Sequence, residues 1–92
     1  MALGQGFSTD YNGLHLKVEA MQDGWYYRIV QVKDSTIRVD WTAGLGRGTS
    51  KYQEPEDIKF EALTTAMGLM DAQDDPHNVF EALRWHPYGP GH

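Results

Sequence analysis

The chain has no cysteine, and that single absence removes disulfides, thiolate zinc sites and cysteine nucleophiles together. It is also short of positive charge: 8 Lys and Arg stand against 13 Asp and Glu, for a formal net charge of −5. That balance favours solubility and opposes non-specific binding to nucleic acid or anionic lipid. No apolar run approaches the roughly 20 residues that a membrane span needs. Residues 1–13 have neither the basic start nor the apolar stretch of a signal peptide. With no staples and no leader, the expected location is the cytoplasm. A length of 92 residues leaves room for one core and not for a second.

What is present divides along the chain. Residues 14–43 alternate apolar and polar as strands do, and residues 55–72 follow a helical period. Charge changes at the same boundary. Residues 1–53 hold Lys17, Arg28, Lys33, Arg38, Arg47 and Lys51 against 5 acids, whereas residues 54–92 hold Lys59 and Arg84 against 8. Residues 1–12 mix Gly, Ser, Asp and scattered aromatics without a period and read as a tail, with Phe7 or Tyr11 as the residues that would pin it.

Leu14, Leu16, Val18 and Ala20 share one face of the first strand, and His15, Lys17, Glu19 and Met21 share the other. Asp23-Gly24 is a two-residue hairpin signal, because a type I′ turn needs positive φ at both central positions. It sets Gln22 opposite Trp25, Val18 opposite Ile29 and Glu19 opposite Arg28, and puts Trp25, Tyr27 and Ile29 on the core face. A simple Asp34-Ser35 turn would bury the opposite face of the next hairpin, so a three-residue loop (33–35) or a bulge is expected. Either would bring Ile29 opposite Val39 and Tyr27 opposite Trp41. Residues 44–48, GLGRG, read as a loop, and 49–53 as a short edge strand.

Pro55 suits the first turn of a helix, where Glu56, Asp57 and Glu61 complement the dipole. Ile58, Ala62, Leu63, Ala66, Met67 and Met70 form its apolar stripe. Asp74-Asp75-Pro76 ends that helix and can cap a second, short one whose inner face is Val79, Phe80 and Leu83. The expected fold is α+β: a three-stranded antiparallel sheet, with a fourth strand at its edge if 49–53 pairs, packed on one long C-terminal helix and followed by a second short helix. The domain would span 13–85, with a flexible tail at 86–92.

Catalysis finds no foothold in this pattern. Ser8, Ser35 and Ser50 sit in the tail or in turns, with no strand–elbow–helix signature around them. His15, His77, His86 and His92 lack the spacing of helical metal ligands, and no acid interrupts an apolar stripe. No enzymatic activity, cofactor or metal is expected. The GLGRG loop lacks the lysine and following helix of a P-loop, yet Gly46 and Arg47 remain candidate anion contacts, together with Lys17 and Arg38, which would flank Val30 on the open face. Trp25, Tyr27 and Trp41 would be core and not a base-stacking platform, and Glu19, Arg28 and Asp40 would neutralise one another across the strands.

Trp85 and Tyr88 are too apolar for a free tail and are the candidate partner contacts. The expected function is therefore a small non-enzymatic protein-interaction module, a monomer or weak dimer, working through its strand edges or this aromatic segment. The alternative is a nucleic-acid or anion binder using Lys17, Arg38, Arg47 and the 44–48 loop.

The run of three strands and a long helix resembles, in topology, the last four elements of the double-stranded-RNA-binding domain. Where that family places a lysine cluster at the start of its final helix, this chain has Glu54-Pro55-Glu56-Asp57, and the family's first helix has no counterpart, so no RNA-binding residue carries over. Over residues 11–72, the pattern from Tyr11-Asn12-Gly13 through Gly24-Trp25 to Glu61-Ala62 and Ala66 more closely resembles small uncharacterised proteins of Burkholderia-type proteobacteria. That resemblance implies a stand-alone cytoplasmic protein with no assigned activity.

Overall fold

A computed structural model of the chain describes residues 5–21, 24–43 and 55–89. Five strands, β1 (Gly6–Tyr11), β2 (Leu14–Met21), β3 (Gly24–Lys33), β4 (Thr36–Ala43) and β5 (His86–Tyr88), form one antiparallel sheet in the order β4-β3-β2-β1-β5. Helix α1 (Pro55–Leu69) packs across β2 and β3, and the shorter α2 (Pro76–Ala82) packs beside α1. The α+β class is as expected, but the sheet has five described strands. The two additional ones come from segments that read as tails.

The first is β1. Its sequence, GFSTDY, looks like loop by composition, yet Asn12 and Gly13 both have positive φ (47° and 82°) and turn the chain tightly into β2. Phe7, Thr9 and Tyr11 then face the helix layer: Thr9 and Tyr11 are buried, and Phe7 packs against the core. The second is β5, which returns from α2 to pair Tyr88 with Gly6 and His86 with Ser8. Thr9 Oγ1 donates to the Arg84 carbonyl at 2.7 Å, tying the approach to β5 onto β1.

The β2–β3 hairpin closes on Met21 and Gly24, so Gly24 is the first residue of β3 and not the second of a turn. The expected register moves by one residue on each strand. Val18 faces Tyr27, Leu16 faces Ile29, and Lys17, not Glu19, faces Arg28. A shift by a full pair preserves side-chain parity, so Trp25, Tyr27 and Ile29 remain on the buried face as expected. It also sets Trp25 beside the small Ala20, where its ring stacks on Phe7 at 6.1 Å between centroids.

The expected irregularity between β3 and β4 is a bulge. Asp34 and Ser35, at φ 54° and 60°, make a two-residue turn, and the register then slips between Gln31 and Val32, leaving Arg38 without an opposite residue. Ile29 therefore faces Trp41, and Tyr27 faces Ala43, in place of the expected pairs Ile29–Val39 and Tyr27–Trp41. The bulge sends Ile37 to the open face and Val39 to the helix side. Trp41 lies on the helix side too, but α1 packs over β2 and β3, and Trp41 stays 46% exposed. It is not a core residue.

Ile58, Ala62, Leu63, Ala66 and Met67 are buried as their spacing predicts, and Lys59 is buried with them. Met70 is exposed because α1 stops at Leu69. The stop is a Schellman arrangement: Ala72 N–H donates to the Met67 carbonyl and Asp71 N–H to that of Gly68, with Asp71 at φ 54°. Asp75 caps α2 by accepting from the His77 N–H at 2.9 Å, and Val79, Phe80 and Leu83 pack against the core as expected. The edge strand expected at 49–53 lies outside the described residues.

Candidate functional site

The sheet face opposite α1 carries the polar side chains, and the strand register arranges them in rows. One row reads His86, Ser8, Lys17, Arg28 and Thr42 across β5, β1, β2, β3 and β4. The rows on either side hold Asp10, His15, Val30 and Asp40, and Tyr88, Gly6, Glu19 and Tyr26. Two cations thus face each other directly at the centre, with carboxylates one row away on both sides.

Each carboxylate has a defined partner. Asp40 takes the Arg28 guanidinium side-on, with Nε and Nη2 each donating at 3.1 Å, and this pairing holds Arg28 protonated even more firmly than usual. Asp10 lies 3.0 Å from His15 Nδ1. Glu19 accepts from two phenols, Tyr26 at 2.9 Å and Tyr88 at 3.0 Å. Burial first, and the Glu19 carboxylate second, push both tyrosines above their ordinary range. The expected Glu19–Arg28–Asp40 lattice is therefore only half formed, because the register gives Glu19 to the tyrosines.

Lys17 has no carboxylate within ion-pair distance among the described residues, and its Nζ lies 5.1 Å from the centre of the Tyr88 ring. Beside it runs an open groove of about 490 Å³ lined by Gly13, His15, Lys17, Arg28, Val30 and Val32. Its floor is β-strand, cationic at one end and aliphatic at the other.

Of the residues singled out by sequence, Lys17 lines this groove. Arg38 sits exposed in the β4 bulge and is not among the lining residues. Gly46 and Arg47, with the whole 44–48 loop, lie outside the described residues. Tyr88 is half-buried in the Glu19 clasp, and its hydroxyl also lies 3.4 Å from the Val18 carbonyl. Trp85 packs against the core, with its indole Nε1 buried and without a hydrogen-bond partner among the described residues. Both rings are engaged in the domain's own packing.

Sequence reasoning passed over two features. Arg28 looked neutralised, although two of its five N–H donors meet Asp40 and three point elsewhere. Lys59 entered the sequence reading only as one of two basic residues in the acidic half. Its Nζ bonds Glu56 at 2.9 Å and lies 4.0 Å above the Phe7 ring and 5.7 Å from that of Trp85, so an ammonium is held in an aromatic box under the sheet edge. The signal was present: positions 59, 62, 63 and 66 already follow the helical stripe.

Among the described residues no three of His, Cys, Asp and Glu come together to hold a metal, and no helix is long and apolar enough to cross a membrane. No family model, no curated protein and no solved structure matches the chain.

Proposed function

We propose that this protein is a non-enzymatic protein-interaction module that receives an extended segment of its partner along β4. The observation that carries this reading is the exposure of Ile37 and Trp41, 59% and 46%, on the terminal strand of the sheet. These two side chains lie on opposite faces of the sheet. A strand added beyond β4 would meet backbone donors and acceptors in the plane and an apolar side chain above and below it. Among the described residues no strand lies beyond β4, whereas the opposite edge is β5, three residues long and interrupted by Pro87. Trp85 and Tyr88, the partner contacts suggested by composition, give way here to Ile37 and Trp41 because their rings are already packed.

The test is a double variant, Ile37→Thr with Trp41→Ser, compared with the parent chain for binding of partners identified by crosslinking and for sedimentation. Loss of partner binding with a melting temperature changed by no more than about 3 °C supports the reading. Retained binding overturns it. If instead the variant abolishes only self-association seen in the parent, the added strand is a second copy of this chain.

A further inference from the structure

We propose that the open-face groove is a binding site for a small amphiphilic oxyanion, a phosphate or carboxylate head group carrying an aliphatic tail. Lys17 and Arg28 hold the head, and Val30 and Val32 line the path of the tail. The site lies on β2 and β3, and its aliphatic end adjoins the β4 contact, because Val32 faces Ile37 across the strands.

The juxtaposition of Lys17 and Arg28 is the starting point. Like charges directly opposite each other on neighbouring strands weaken a sheet, so folding gains nothing from this pair. An anion between them converts the repulsion into two charge-assisted contacts. The disposition of the surrounding carboxylates fits that role. Asp10 is with His15, Asp40 covers one edge of Arg28, and Glu19 is turned to Tyr26 and Tyr88, so none of the three pairs with Lys17. Lys17 is left without a carboxylate partner among the described residues, and Arg28 retains N–H donors beyond those given to Asp40.

The groove's shape selects the rest of the ligand. From Arg28 to Val32 the strand advances roughly 13 Å, and the lining changes along that path from cationic to aliphatic. Its volume, about 490 Å³, lies in the range of small-molecule sites. A polyanion fits less well. Successive phosphates would meet Asp10, Glu19 and Asp40 in the flanking rows, and a net charge of −5 offers no long-range attraction. A single head group beside Lys17 and Arg28 meets fewer of those acids than a chain of phosphates does.

The experiment is an amide-resolved NMR titration with octyl phosphate and with octanoate, both below their micelle-forming concentrations, alongside inorganic phosphate and a short single-stranded RNA. The expected result is saturable shifts at residues 15–17 and 28–32 with at least one of the two amphiphiles, and the stronger of the pair identifies the head group. Inorganic phosphate should bind about tenfold more weakly or worse, since it lacks the tail. Lys17→Gln should weaken the amphiphile at least about tenfold while changing the melting temperature by no more than about 3 °C, because relief of the like-charge pair offsets the lost contact with the Tyr88 ring. Val32→Asp, at a side chain 60% exposed, should weaken the amphiphile and leave inorganic phosphate unchanged. Three outcomes overturn the proposal: no shift in the groove up to about 10 mM of either amphiphile, equal affinity in Lys17→Gln, or RNA binding through Lys17 at concentrations where the amphiphiles do not bind.

Discussion

At the residue scale, Gly6 and Lys59 show how much depends on side chains that are absent or out of character. A methyl group on Gly6 would run into the Val18 carbonyl and come within 2.5 Å of Cζ and 2.6 Å of the hydroxyl of Tyr88. The missing Cβ is what lets the Tyr88 ring cross β1 and reach Glu19 on β2. Gly6→Ala is expected to cost about 1–3 kcal/mol, read as a lower melting temperature together with faster hydrogen exchange at the His86 and Tyr88 amides. If those amides keep their protection, the ring does not depend on that opening. Lys59 teaches the complementary lesson. Its position on the stripe was legible, but its chemistry argued for solvent, and only the fold brings Phe7, Trp85 and Glu56 around it. A long aliphatic stem can be buried while its charge rests on ring faces and one carboxylate.

At the element scale, the central hairpins and both helices were legible because their signals are local. Alternation marked β2, β3 and β4, Pro55 and Asp75 marked helix starts, and the parity conflict between two hairpins called for either a longer loop or a bulge, of which the chain takes the bulge. What failed was what local patterns do not carry. β1 is written in Gly, Ser, Thr and Asp, and it is a strand because its neighbours on both sides supply partners. β5 is three residues whose pairing lies some eighty positions away. The groove was half legible: Lys17 was singled out, but its true neighbour Arg28 depended on a register one pair away from the expected one. Among the ends, α1 stops on a left-handed Asp71, a conformation that glycine adopts without Cβ strain. Asp71→Gly should therefore stabilise the protein by about 0.5–1 kcal/mol, measured by urea unfolding. A loss of stability would show that the Asp71 side chain contributes more than its backbone strain costs.

At the scale of the whole molecule, the two phenols on Glu19 couple stability to alkaline pH. Folding raises both tyrosines above the ordinary value of 10.0. The unfolded chain therefore releases these protons first, so their contribution is complete below about pH 10 and is lost as pH rises through the folded values. Urea midpoints should fall above that pH. Tyr88→Phe, less stable at neutral pH, should show a shallower decline, and an unchanged slope would remove Tyr88 from this role. The same tyrosine closes a seam between β1 and β5, where the first described strand of the chain meets the last. Strands β1 to β4 are successive hairpins whose contacts are close in sequence, whereas the seam joins residues 6–8 to 86–88 and Thr9 to Arg84. Pairing of distant segments carries the larger loop-closure cost. During synthesis the meander can assemble behind the ribosome while the outer edge of β1 waits uncovered for Tyr88 to emerge. The sheet is thus buttoned by its last described strand, and a ribosome stalled before residue 86 would hold a sheet whose β1 edge is still open to any other strand that reaches it first.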